Sequence, residues 1–570
     1  MMIQFSTFYR RFFLRRQLGV THGERLLRST GTSQHKIIPR SGISTFFKEQ
    51  HTTPKHKPRV YETLNSKAYV IQAIKEPNFI QAPGRHDLSV LRSDFSSRPL
   101  TVQQNDFDFI PTQNHLLNSN LYHLMSVMNV DSYEKLYEMS IDSSQSSRIW
   151  AHVIDYFSLG FKHPPEGISK THKTGKVEWL PGAKLNIVDW VFDSKPKDQV
   201  AIIEANELNS NLKKITYGEL HAFVRNVAFQ LSSRYKPGTV IGLTGSLNVT
   251  NVIAHLAIIY SGLICLPIPD SFSGEEIQSR LIYGNAAGLI IESSFVRSGK
   301  TYDMYKKLLD VDLVQPMFVY GQLNGDMRES DFCFDDFLNF QADHAYESVG
   351  LSNNDLMMIL CSSGTTGAPK MFPWHHTNGL KIILDSAYTI GIKPDDTVSM
   401  FTNMGWMMGA WTVFSTLICG ARLMLYQGTP TKQPYLDAIQ NTEVTVLGII
   451  PSIVKKWHSQ GLLATEQWPT AIRTYFSTGE RSNVTDYQML ARVSGNVPII
   501  EYLGGTELTG GYIVGCERDR MNVSRFYRFS LGTKVVVLND HGKQVKPGEI
   551  GEAFLYPGAL GQSTELLNEN

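Results

Sequence analysis

The spacing of apolar and polar residues changes along this chain, and each change predicts an element. From Val200 onward, short β-rich runs alternate with amphipathic stretches. Val200-Ala201-Ile202-Ile203 is followed by a helix-spaced pattern over 217–231, then by Val240-Ile241-Gly242-Leu243 and Leu289-Ile290-Ile291. Strands and helices alternating at this spacing predict a mostly parallel α/β sheet. The longest apolar stretch, 252–268, carries His255 and Ser261 and is closed by Pro267 and Pro269. It is shorter than the roughly twenty residues a membrane span needs, so it reads as a buried helix leading into a strand. Upstream, helical spacing begins near Asn114 and continues through 149–157. Trp179-Leu180-Pro181-Gly182-Ala183-Lys184-Leu185-Asn186 then forms a turn-rich lead-in to the next domain. Near the end, Thr533-Lys534-Val535-Val536-Val537-Leu538 and Gly551-Glu552-Ala553-Phe554-Leu555 flank the turn Asn539-Asp540-His541-Gly542, the pattern of an antiparallel hairpin.

These patterns divide the 570 residues into five parts. Residues 1–48 form a basic, targeting-like segment, 49–113 a polar stretch without sustained period, and 114–186 a helical segment. Residues 187–515 make the α/β body, and 516–570 begin a small β-subdomain inside which the chain stops. The first 48 residues hold one acidic residue, Glu24, against nine lysines and arginines, with Arg10, Arg11, Arg15 and Arg16 set among aromatics. An Arg-rich, Ser-containing, acid-poor leader is the composition of a mitochondrial transit peptide. A disordered basic tail is the other reading, and a cytoplasmic or peroxisomal location stays open. The net charge is +1, so no overall electrostatic attraction to nucleic acid or membrane is expected. The five cysteines are scattered without a C-x-x-C pair, which argues against a disulfide framework or a zinc site.

One segment carries chemistry on its face. After the apolar run Leu356-Met357-Met358-Ile359-Leu360 comes Cys361-Ser362-Ser363-Gly364-Thr365-Thr366-Gly367-Ala368-Pro369-Lys370. Glycines let backbone N–H groups approach an anion, hydroxyls add donors, and the lysine adds a point charge, which together make a phosphate cradle at a strand end. Its spacing is not the Gly-x-x-x-x-Gly-Lys-Ser/Thr of kinases and GTPases. The plain alternative is a flexible surface turn. Four segments follow: Asn403-Met404-Gly405-Trp406-Met407-Met408-Gly409, Ser477-Thr478-Gly479-Glu480, Glu501-Tyr502-Leu503-Gly504-Gly505-Thr506-Glu507, and Pro547-Gly548-Glu549-Ile550-Gly551-Glu552. Singly, Trp406 and its methionines read as core, and Glu480 and Glu507 as solvated loop carboxylates.

In this order, from about residue 120 to the end, the set resembles the acyl-adenylate-forming (AMP-dependent synthetase/ligase) superfamily. The segments 179–186 and 405–409 are similar to its acetate–CoA ligase branch, and within that branch to the plant peroxisomal acyl-activating enzymes. The resemblance implies an α/β fold, the large N-terminal domain of adenylate-forming enzymes. That fold has two parallel-rich sheets with flanking helices plus the start of a small β-barrel. It implies that Ser362, Ser363, Gly364, Thr365, Thr366, Gly367 and Lys370 wrap the ATP phosphates. Gly479 and Glu480 would border the adenine, Tyr502 would stack on it, Thr506 would touch the α-phosphate, and Glu507 would hold Mg²⁺. Trp406, Met407, Met408, Thr478 and Gly504 would line the acid pocket, with Lys370, Thr506 and Glu507 carrying the catalysis. ATP, Mg²⁺ and coenzyme A would be the cofactors and co-substrate, and a small carboxylic acid the partner.

Gly504 stands where acetate-specific relatives place a tryptophan, which implies room for a medium, branched or aromatic acid. The resemblance also places a ribose-binding aspartate, a hinge and a lysine-bearing C-terminal lid beyond Asn570, so activity of this chain alone would be impaired. A non-catalytic nucleotide- or acyl-binding relic is the alternative, and an adenylation domain feeding a carrier protein ranks third.

Overall fold

The structure, a computed structural model, describes residues 2–4, 72–74 and 108–568 apart from 324, 344, 363–368, 465–467 and 564. The leader's arginine–aromatic run lies outside the described residues. The predicted alternation from Val200 onward takes the form of two seven-stranded sheets. The first runs, from edge to edge, Phe332–Cys333, Met317–Tyr320, Gly288–Glu292, Val240–Thr244, Ile264–Ile268, Leu356–Ser362 and Lys370–His375. The second runs Ile499–Glu501, Thr474–Ser477, Val446–Ile449, Thr397–Met400, Arg422–Gln427, Val200–Asn206 and Lys213–Thr216. In each sheet all neighbours are parallel except one edge strand, Lys370–His375 in the first and Lys213–Thr216 in the second. The exceptions follow from connection length. A parallel neighbour needs a crossover of a dozen or more residues, whereas these edges are reached by a short loop that only a hairpin can use.

Parallel strands are covered on both faces, so their apolar runs are continuous rather than alternating. Thr397–Met400 and Thr474–Ser477 are buried at every position. The stretch 252–268 divides as expected into the helix Val249–Tyr260 and the strand Ile264–Ile268. Asn248 caps the helix by accepting from the Asn251 N–H, and nearly all of its residues are buried. The helix Met407–Ile418 is buried in the same way, and the two meet where His255 lies 5.4 Å from Phe414. Complete burial pushes the His255 imidazole down to about 3, so it sits there neutral. The helix predicted over 217–231 spans Tyr217–Ser232 and starts with a reciprocal capping box between Thr216 and Glu219. Among the described residues no helix is long and apolar enough to cross a membrane.

Upstream, four short helices, Gln113–Leu117, Asn120–Met128, Tyr133–Ile141 and Ser146–Tyr156, brace the body. The Asn120 amide donates to the carbonyls of Ala387 and Ile392 at 3.0 Å each. The lead-in at 179–186 has a structural role. Fully buried Asn186 caps the helix Ile187–Phe192 and donates to the carbonyls of Ile259 and Val349. The terminal hairpin forms between Val535–Leu538 and Glu552–Leu555. Its turn is held by the Asn539 Oδ1, which accepts from the N–H groups of His541 and Lys543.

Candidate active site

Four of the five candidate segments begin where parallel strands end at their carboxyl ends, the rim at which open α/β sheets bind ligands, and the fifth, 547–552, lies in the terminal hairpin. Ser362 ends its strand, Trp406 follows Thr397–Met400, Thr478 follows Thr474–Ser477, and Tyr502 follows Ile499–Glu501. The two rims touch. Asn403, from the second sheet, donates to the Gly245 carbonyl of the first at 2.9 Å and fixes its own loop by accepting from Gly405 N–H.

Ser362 stands opposite Lys370 across the antiparallel pair, so the phosphate loop bridges two hairpin strands instead of leading into a helix. Ser363, Gly364, Thr365, Thr366 and Gly367 lie outside the described residues. Lys370 is half-buried at the start of its strand, near enough for its charge to act on Glu507. The Glu507 carboxyl group folds back over Gly505, and burial pushes it up from its ordinary range while the Lys370 charge pulls it down. One strand ties these groups together: the Trp374 indole Nε1–H donates to the Thr506 carbonyl at 2.8 Å. Thr506 and Glu507 lie in the 3-10 turn Thr506–Leu508, which joins the strands Leu503–Gly505 and Gly510–Val514.

The remaining candidates fall into two sets. Trp406 is 48% exposed on the rim and meets Phe272 edge-on at 6.0 Å. Met407 is half-buried, whereas Met408 is core, which leaves Met407 alone of the two facing outward. Thr478 receives its place from a bond of its N–H to the Ile449 carbonyl. Gly479 has φ +88°, a conformation that favours glycine, and lets the chain turn so that Glu480 reaches the first turn of the helix Pro451–Ser459. There the Glu480 carboxylate accepts from the N–H and hydroxyl of Ser452 at 2.9 and 3.1 Å. Its charge complements the helix N-terminus.

Two expectations need correction. Tyr502 offers no stacking face: it is 2% exposed, its hydroxyl donates to Asp385 at 2.6 Å, and its ring packs 5.6 Å from Trp411. Its place in the extended chain is the reason. Successive residues alternate between faces, and Tyr502 falls on the interior one. Gly504 opens no empty volume either. A Cβ there would overlap the Gly510 carbonyl oxygen and lie 2.7 Å from its carbon, so the adjacent strand fills that direction. Gly504→Ala is accordingly expected to cost about 1–3 kcal/mol by forced backbone displacement. A urea midpoint equal to wild type would refute this.

Three charged side chains escape motif reading. Lys381 and Asp385 form an ion pair of 2.7 Å with side-chain exposures of 2% and 0%. The available signal was a lysine and an aspartate four residues apart within the otherwise apolar 379–390, since charges are almost never fully buried unless paired. Glu501 is 3% exposed, burial pushes it up to about 7, and its Oε1 has no hydrogen-bond partner among the described residues. Among the described residues no group of three or more His, Cys, Asp or Glu converges as a metal cage. Glu507 beside a phosphate loop still suits Mg²⁺, which binds through one or two carboxylates and completes its shell with phosphates and water.

Comparison with known proteins shows the family and the fold. Residues 188–556 match the model of the family described as AMP-binding enzyme. The chain is 32% identical over 458 residues to probable acyl-activating enzyme 18, peroxisomal, of Arabidopsis thaliana, a match covering 77% of this chain and 62% of that one. It is 31% identical over 466 residues to hexanoyl-CoA synthase of Cannabis sativa, covering 77% and 63%. The chain therefore spans less than two thirds of the length of these relatives. Acetoacetyl-CoA synthetase from Streptomyces lividans shares the fold with a TM-score of 0.76 at 17% identity, over 81% of this chain and 74% of its own. With that architecture and a family model matched across both sheets, the chain belongs to the AMP-binding enzyme family.

Proposed function

We propose that this chain carries the carboxylate-activating part of an ATP-dependent acid–CoA ligase. The observation that supports this best is the meeting of Lys370, Thr506 and Glu507 at the shared rim, with Trp374 joining the phosphate-loop strand to the Thr506 turn. A substrate carboxylate oxygen attacks the α-phosphorus of ATP. The bond to the bridging oxygen breaks, and acyl-adenylate and pyrophosphate result. The carboxylate is already a nucleophile at neutral pH, so the site needs positioning and charge neutralisation more than a general base. Lys370 neutralises the departing phosphates, Ser362 donates a hydrogen bond to them, and Thr506 donates to the α-phosphate. Glu507 is the carboxylate suited to hold Mg²⁺, which when bound spreads the developing charge. The thiol of coenzyme A then displaces AMP from the adenylate to give the thioester.

The acid is proposed to be of medium size. Relatives named as acyl-activating enzymes and hexanoyl-CoA synthase support this reading. The peroxisomal names of the Arabidopsis relatives favour the peroxisomal location, and the mitochondrial reading of residues 1–48 gains no support. Pyrophosphate release measured across straight-chain acids from acetate to decanoate, with branched and aromatic acids beside them, tests the substrate class. The expected maximum lies among medium chains, and a clear preference for acetate would sink the proposal.

A further inference from the structure

The segment that leaves the phosphate loop does more than fill the core. After the strand Lys370–His375 it passes through the 3-10 turn His376–Asn378 and the helix Gly379–Ile383 into the π-helical stretch Leu384–Ile390. Asn378, Lys381 and Asp385 lie at i, i+3 and i+7, so they share one face, and all three are buried. That face meets the hairpin that bears Thr506 and Glu507.

The contacts run along the hairpin's whole length. The Trp374 indole holds the Thr506 carbonyl. The Asn378 amide donates to the Thr509 hydroxyl at 2.6 Å. Lys381 Nζ donates to the Gly511 carbonyl at 2.7 Å and to Ser530 at 2.8 Å. Asp385 Oδ2 accepts from the Tyr502 hydroxyl at 2.6 Å and from the Gly511 N–H at 2.8 Å. Thus Tyr502 on one side of the catalytic turn and Thr509 and Gly511 on the other are bonded to one rigid segment, which begins at Lys370.

We propose that Trp374, Asn378, Lys381 and Asp385 form a positioning spine that sets Thr506 and Glu507 in register with Lys370. Two features argue that this arrangement exists for geometry rather than for stability. A buried ion pair is commonly replaceable by apolar residues of similar volume at no loss of stability, so its contribution lies in directed bonds. The hairpin also comes unusually close. A Cβ on Gly510 would stand 3.1 Å from Lys381 Cε, and one on Gly511 only 2.7 Å from Tyr502 Cε2. Gly510 admits the ion pair directly against the main chain, and Gly511 admits the Tyr502 ring.

The inference rests on the nucleotide-binding reading only for its consequence, since the spine itself can be read in the ligand-free protein. The double variant Lys381→Met/Asp385→Leu removes both charges together and is expected to lose far less stability than Lys381→Met alone. Amide hydrogen exchange over residues 506–511 should quicken about tenfold or more, the worth of the lost charge-assisted bonds, while the strand Leu356–Ser362 keeps its protection. The dissociation constant for MgATP, measured by titration calorimetry, should rise by about the same factor, with the KM for the acid nearly unchanged. Tyr502→Phe, which deletes one hydroxyl and leaves the pair intact, should give the same pattern at smaller amplitude. Wild-type exchange over 506–511 in both variants would overturn the proposal, as would an equal rise in the MgATP constant and the acid KM. If the wild-type chain binds no MgATP, the nucleotide reading falls, and the exchange result alone decides the spine.

Discussion

Replacing Lys370 with methionine is expected to lower ATP–pyrophosphate exchange by roughly 10²–10³-fold, the usual loss when one charge-stabilising group is removed from a transition state. Methionine keeps the apolar stem of a half-buried side chain and deletes only the charge, so the denaturation midpoint should hold. Two effects combine in the loss. The departing phosphates lose a cation, and Glu507 loses the charge that opposes its burial. Burial raises the Glu507 carboxyl and Lys370 lowers it, so the variant's carboxyl moves further up. Less of it is then ionised at a given pH, the acidic limb of the pH–rate profile shifts to higher pH, and more Mg²⁺ is needed for half-maximal exchange. An exchange rate within a factor of about three of wild type would contradict the charge assignment. Unchanged Mg²⁺ dependence with a large rate loss would confine the role of Lys370 to phosphate binding.

The contrast between what patterns revealed and what they concealed has a physical basis. The strands at Val200, Val240, Leu289 and Leu356 were legible because burial on both faces forces continuous apolar runs. The helix Val249–Tyr260 was legible because it is apolar all round. The Ser/Thr/Gly loop and the Thr506–Glu507 turn announce themselves by residue chemistry, which needs no tertiary context. Tyr502 and Gly504 were misjudged for the opposite reason. Whether a residue beside a motif faces the ligand or the core depends on strand register, and register here is set by partners far away, Asp385 and Gly510. Met408 illustrates the same limit: a single residue step around the helix separates the half-buried Met407 from the core. The Lys381–Asp385 pair was visible only as two charges in an apolar stretch, and its partners lie more than a hundred positions away at Tyr502, Gly511 and Ser530.

Lys381→Met alone is expected to destabilise the protein by about 3–5 kcal/mol, the cost of leaving a buried charge without its partner. The Asp385 carboxylate has no exposed surface, and its Oδ1 would keep only the Ser530 hydroxyl. The remaining donors, the Tyr502 hydroxyl and the Gly511 N–H, bond to the other oxygen and cannot neutralise the charge. Burial already pulls the Lys381 amine below its ordinary value, with Asp385 as the group that opposes it, so Lys381 depends on its partner for its charge. Urea denaturation at neutral pH checks this. A small midpoint loss would mean that the core tolerates the bare carboxylate. The pair would then be a passive feature of the helix rather than the bond that holds the Thr506–Glu507 hairpin in place.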